Sequence, residues 1–313
     1  MTSILRDAKS LPEYAWVAKT ITFRHPDYPI GENALLCLGA IDNGGIDYDT
    51  ALNGFFATRQ FGHQALTPKA LTPIVRPPDS ILRLEEYYFQ LPDEETPCRP
   101  YPIVATFKDW TFPHDALPMP WSEAWWQQNL NPPQAPSMRC RIMDVNENVH
   151  SAHIVPLACR DWFDRENLGQ YIPIVPDQQA FDSPSNMIHL QSLILDAFER
   201  QSFFIVPKQD RVARLNTDLS QAPPPSLVVH VVDHTSDQRF REYFHNRKLH
   251  PADCKLHCLF ARFAWVIFGV PLQPFWTGCR KGRVVFVRDD TTGAWSVTRQ
   301  GPFPSINLGS SPL

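Results

Sequence analysis

Apolar and polar residues follow one another along this chain in short, changing rhythms. "PIVATF" (102–107) alternates as a strand does, and "FFIVPK" (203–208), "SLVVHVVD" (226–233) and "VVFV" (284–287) are apolar runs of strand length. Helical spacing emerges in two places. In "MIHLQSLILDAFERQ" (187–201), Ile188, Leu190, Leu193, Ile194, Ala197 and Phe198 fit a helix better than a strand. In "PADCKLHCLFARFAWVIFG" (251–269), Leu256, Leu259, Phe260, Phe263 and Ile267 predict a long, largely buried helix, with Pro251 suited to its first turn. "MRCRIMD" (138–144) and "VHSAHIVP" (149–156), separated by "VNEN", predict a hairpin. Strands and helices mixed in this way predict an α+β fold.

Proline-rich joints at "NPPQAP" (131–136) and "QAPPPS" (221–226) divide the chain. The expected organisation is an N-terminal α+β part over 1–130, a central core over 137–214, a C-terminal strand–helix–strand part over 226–290, and a tail over 291–313 that is an extended arm from about residue 300. With 31 prolines against 13 glycines, stiff connecting loops are expected in place of a tightly wound α/β repeat.

Composition narrows the function classes. A chain of 313 residues with 43% hydrophobic and 20% charged residues has the make-up of a soluble globular protein. The net charge of −4 gives no support to a phosphate-binding face, so a nucleic-acid partner is not expected. The short basic run "RKGR" (280–283) reads as a solvated turn. "MTSILRDAKS" has no apolar leader, and "LFARFAWVIFGVPL" (259–272) is too short for a bilayer and is interrupted by Arg262. A cytoplasmic protein with no membrane partner and seven reduced cysteines is the expectation. Nine tryptophans could wall an apolar cavity or simply fill a core. No feature of the pattern sets an oligomeric state.

Candidate chemistry is sparse. Cys254, His257 and Cys258 share one face of the predicted helix, but zinc requires a fourth ligand and no second cluster is near in sequence, so packing is the simpler reading. "NGGI" (43–46) looks like a turn and matches no phosphate loop. His153, at the end of an apolar run, is either a base or a histidine buried in a sheet.

An ordered series of short motifs carries more. "CRIMD" (140–144), "AHIVP" (152–156), "WF" (162–163), "SNMIHL" (185–190), "AFERQSFFIVPK" (197–208) and "LFARFAWVIF" (259–268) together resemble the HNH family of ββα-metal nucleases, in particular its large fungal group. "HPDY" (25–28) and "YPIVATFKDWTFPHDALPMPW" (101–121) resemble that group's N-terminal half, so the likeness covers roughly residues 20 to 285. It implies a ββα core in which a first histidine is the general base, an asparagine positions it, and a helical histidine holds a divalent metal. His153 matches the first histidine and Asn186 the asparagine. Ala152 stands where many members have an acidic ligand, Leu193 where another acid is usual, and Leu195 where the metal histidine belongs. His189 lies six residues before Leu195, Asp196 points about 100° away around the helix, and Glu199 matches an acid the family has in any case.

The resemblance therefore implies a degenerate HNH-like scaffold without a metal or other cofactor. Segment 137–214 has eight Lys/Arg against ten Asp/Glu, so it offers no basic surface either. The expected function is a cofactor-independent cyclase, pericyclase of the Diels–Alderase kind, or isomerase, of the type recruited to fungal natural-product biosynthesis. His153 and Asn186 would be its catalytic groups. Leu195, Trp162, Phe163 and His189 would line the site for an apolar small molecule. The alternatives are a metal-dependent HNH endonuclease with an unusual metal site and an inert HNH-like interaction protein.

Overall fold

A computed structural model describes residues 19–59, 65–67, 76–91, 100–124, 138–173, 176–209, 224–232, 238–250, 254–277, 282–289 and 291–301. The first proline joint, most of the second and Pro251 lie outside the described residues.

The architecture is α+β, with helices set among several small sheets. Strands β1 (Thr20–Arg24), β2 (Ala34–Gly39), β4 (Ala65–Thr67) and β6 (Glu86–Gln90) form a four-stranded sheet in the order β2-β1-β6-β4. The β1–β6 pair is parallel and the other two pairs are antiparallel. Strands β3 (Ile46–Asp47) and β5 (Ile81–Leu82) make a short antiparallel pair. Helix α1 (Tyr48–Arg59) follows β3 directly. Strand β7 (Ile103–Val104) is the two-residue remnant of the alternation in "PIVATF".

The expected hairpin within 138–156 does not form. Only β8 (Val149–His153) is extended, and its antiparallel partner is β9 (Met187–Gln191). Residues 140–145 close on themselves instead. Asp144 N–H donates to the Cys140 carbonyl, and Cys140 N–H donates to the Val145 carbonyl. Asp144 and Asn148 take left-handed backbone angles, φ 56° and 51°, which short polar side chains tolerate. The helix expected from Met187 accordingly starts five residues later. In β9, Met187, His189 and Gln191 alternate with buried Ile188 and Leu190, a period of two that the longer helical pattern masks. Helix α3 (Ser192–Glu199) follows without a break and lies against both strands, and the intervening loop carries helix α2 (Arg160–Arg165).

β10 (Phe203–Lys208) and β11 (Ser226–Val231) pair antiparallel, as their apolar runs predict. After α4 (Gln238–Phe244) comes the long helix α5 (Leu256–Ile267), of which every residue except Trp265 is buried. Cys254 precedes this helix and is not on its face. α5 packs on α1 and β10, and its Phe260 meets the rings of Trp110, Phe112 and Trp121. Arg262 is accommodated at 3% exposure by cation–π contact with Phe198 and Trp265 and a hydrogen bond to the Phe198 carbonyl. Burial draws its pKa down to about 9.

A short helix, α6 (Gln273–Thr277), precedes β12 (Arg283–Arg288). Strand β13 (Trp295–Gln300) then pairs with β12, so part of the expected tail is a sheet edge; residues 302–313 lie outside the described residues. Arg283, expected in a solvated turn, is fully buried. Its guanidinium lies over Tyr28 and Phe275 and donates to the Phe275 carbonyl. No helix among the described residues is long and apolar enough to cross a membrane.

Candidate functional site

The β8–β9 ribbon sets the geometry. Val149, Ser151 and His153 point to one side of β8, and their cross-strand partners are Gln191, His189 and Met187. Ala152, Ile188 and Leu190 point the other way, into the core. His153 is thus at the end of the outer row, with only 19% of its side chain exposed.

Two groups from the loop between the strands hold its ring, and a third holds those two. Asp182 Oδ1 accepts from His153 Nε2 at 3.1 Å. Phe181 stacks beneath the imidazole with centroids 5.0 Å apart. Arg160, the first residue of α2, donates from one nitrogen to both Asp182 oxygens (2.9 and 2.8 Å), and its guanidinium lies 4.5 Å from the Phe181 centroid. Hydrogen bonds from Arg160 and then His153 hold the Asp182 carboxyl below its ordinary pKa. An ionised Asp182 accepts from Nε2–H, and this tautomer leaves the lone pair of Nδ1 as the basic position of a neutral ring.

Asn186 shapes this loop without touching the ring. It is fully buried; its Oδ1 accepts from Val155 N–H at 3.0 Å, and its Nδ2 donates to the Phe181 carbonyl at 2.9 Å. Its own carbonyl accepts from Ile154 N–H at 2.8 Å. One side chain therefore ties the residues after His153 to the residue under its ring. Ser183 caps the turn before it, accepting from Ser185 N–H.

The other expected residues separate. His189 is on the same ribbon face, with Nδ1 2.9 Å from Ser151 Oγ. Trp162 and Phe163 are packed in the interior at 3% and 1% exposure. Trp162 donates to the Trp110 carbonyl and stacks on that indole, while Phe163 sets its edge against Phe181. Phe163 thus backs the ring beneath His153, while Trp162 belongs to the core. Leu195 is partly buried against the core. Asp182, Arg160 and Phe181 escape a sequence reading. Their one signal is an acid four residues before Asn186 in a loop rich in turn formers.

The metal expected of an HNH-like site does not fit these residues. Ala152 and Leu195 offer no ligand atom, and Asp196 is engaged with Arg200 at 2.7 Å. Among the described residues, the side chains close enough to share an ion are Asp42, His230 and His245, all fully buried. That cluster already has its cation: Lys208 Nζ donates to Asp42 Oδ1 at 2.7 Å, joined there by His245 Nε2 (2.9 Å) and Asn246 Nδ2 (2.8 Å). Val231 N–H donates to His245 Nδ1, which fixes the proton on Nε2 and removes the lone pair a metal would need.

No protein family, curated protein or solved structure matches the chain.

Proposed function

We propose that this chain is an HNH-like scaffold turned to metal-independent chemistry, a cyclase, pericyclase or isomerase acting on an apolar small molecule, with His153 at its centre. One observation carries the reading: His153 is held by a hydrogen bond to Asp182 and by stacking on Phe181, in a loop that Asn186 braces, while Nδ1 has no partner among the described residues. A neutral imidazole fixed in this way can take a proton at Nδ1. Once protonated, it can donate a hydrogen bond to a conjugated carbonyl, and Asp182 stabilises the charge it then bears. Acid–base help of this kind contributes roughly 10²–10⁴ in rate. Holding a flexible polyene in a reactive conformer can lower the barrier further, by up to ~7–11 kcal/mol. The half-buried Met187, cross-strand partner of His153, supplies apolar surface beside it.

The test has two arms. Incubation with conjugated polyenals and polyenones, followed by chromatography and mass spectrometry, should give an isomeric product that His153→Ala abolishes. Incubation with supercoiled plasmid across Mg²⁺ and Mn²⁺ concentrations should give no nicking above the level of His153→Ala. Metal-dependent nicking that is lost in the variant would instead establish the nuclease alternative.

A further inference from the structure

The sealed cluster around Asp42 contains a pair of groups that can react with each other. Lys208 ends β10, and Asn246 follows α4 with φ 60°, thirty-eight residues along the chain. Lys208 Nζ lies 2.8 Å from Asn246 Oδ1, and both side chains are at 1% exposure. Asp42 Oδ1 touches both partners, accepting from Lys208 Nζ at 2.7 Å and from Asn246 Nδ2 at 2.8 Å.

Asp42 owes its place to the turn that follows it. Asp42 and Gly45 exchange backbone hydrogen bonds, and Asn43 and Gly44 take left-handed angles, φ 50° and 73°. A side chain at Gly45 would meet the Leu82 carbonyl at 2.3 Å. The second carboxylate oxygen accepts from Asp47 N–H, so the group cannot rotate away from the pair. Apolar walls come from β10 and β11, where Phe204 stacks flat on His230 at 5.0 Å; neither nitrogen of His230 has a hydrogen-bond partner among the described residues.

We propose that Lys208 and Asn246 become joined by an intramolecular isopeptide bond, with Asp42 as the proton carrier. Burial raises the Asp42 pKa, but Lys208 and His245 outweigh it and hold the carboxyl well below its ordinary value, so the resting pair is ammonium and carboxylate. The reaction runs through the minor neutral amine and acid, a form that low polarity makes accessible by penalising separated charge. The Lys208 amine then attacks Asn246 Cγ, forming the new C–N bond. Asp42, already hydrogen-bonded to Nδ2, gives its proton to that leaving nitrogen. It then relays a second proton from Nζ as the tetrahedral centre collapses. The Cγ–Nδ2 bond breaks, and the nitrogen departs as ammonium, having taken two of the three Lys208 protons. Asp42 returns to its carboxylate, and no oxidant or other reactant is consumed. His245, donating to the same Asp42 oxygen, holds the carboxyl in place and is a positioning residue.

The bond would tie β10 to the segment after α4, next to the end of β2, and lock three separate stretches of chain around one covalent link. Intact-mass spectrometry of the purified, folded full-length protein tests this directly. The expected mass is lower than the sequence mass by one ammonia. Trypsin should no longer cut after Lys208, and a branched peptide should join it to Asn246. Lys208→Arg and Asp42→Ala should each restore the full mass. Should those variants fail to fold, the wild-type mass alone decides: a folded protein that retains the full sequence mass after prolonged incubation at neutral pH overturns the proposal. So would a deficit of one ammonia mapped to any residue other than this pair.

Discussion

Replacing Asn186 by alanine removes the brace of the His153 loop and leaves two backbone groups stranded. The side chain is fully buried, and its partners, Val155 N–H and the Phe181 carbonyl, belong to residues at 0% and 2% exposure. Each group left without a partner costs about 1–3 kcal/mol, so the variant should lose about 2–6 kcal/mol. That is a large share of the roughly 5–15 kcal/mol that ordinarily holds a domain. Urea denaturation followed by tryptophan fluorescence measures it as a lowered midpoint at unchanged slope. Asn186→Asp gives the reasoning a sign. Its carboxylate can still accept from Val155, but it sets a second oxygen against the Phe181 carbonyl and buries a charge. The loss should exceed that of alanine at neutral pH and shrink in acid, where a protonated carboxyl can donate to Phe181. A loss below about 0.5 kcal/mol for alanine, or the same pH dependence for both variants, would refute the bracing role.

Stability of the wild type should fall as the pH drops below about 6.5. Burial pushes His25 down to about 3 and His257 down to about 4. The unfolded chain therefore binds protons that the folded one refuses, costing up to about 1.4 kcal/mol per pH unit for each histidine. Urea midpoints between pH 7.5 and 4.5 would show the slope, and His25→Gln should flatten it; an unchanged slope would count against the buried neutral His25. Phe260→Ala, which empties the ring cluster under α5, should cost about 3–5 kcal/mol by the same assay. Leu193→Ser, at a position 64% exposed, should stay within about 0.5 kcal/mol.

The elements that were legible from sequence are those whose pattern is set by one environment. β10 and β11 are buried along most of their length and α5 on nearly every side, so their apolar runs are continuous and their type follows from length and spacing. At 187–191 a junction masks the strand. β9 runs straight into α3, and Ile188, Leu190 and Ile194 satisfy both periods until a partner strand decides. The partner β8 is far off in sequence, and loop closure over such a distance leaves no local mark. His153 and Asn186 were visible through motif order alone, whereas Asp182 was one of many loop acids until the fold put it against the imidazole. The Asp42 cluster did leave a trace: a lysine in "FFIVPK" and a histidine in "VVHVV" are polar residues in apolar strands, and each demands a partner. Which partner it finds is a matter of topology, which assembles the cluster from the turn after β2, two strands and the end of α4.

The HNH-like reading makes one demand on the helix that engineering can meet. On the proposed ββα likeness, positions 152 and 195 are where an acid and a histidine would share a divalent metal. Ala152 is on the inward row of β8, and α3 lies against that strand with Leu195 partly buried. Ala152→Asp combined with Leu195→His should therefore create a metal site, while Leu195→His alone supplies one ligand and should bind weakly. The added groups are poorly solvated, so the double variant should be less stable than wild type without metal and regain stability with it. A metal at a hundred times its dissociation constant adds about 2.7 kcal/mol. Thermal melts with and without Zn²⁺, with Co²⁺ absorption as a spectroscopic check of ligation, read this out. A double variant that folds but shows no metal-dependent shift would mean that these positions do not converge, and the family likeness would then fail at the place where its chemistry resides.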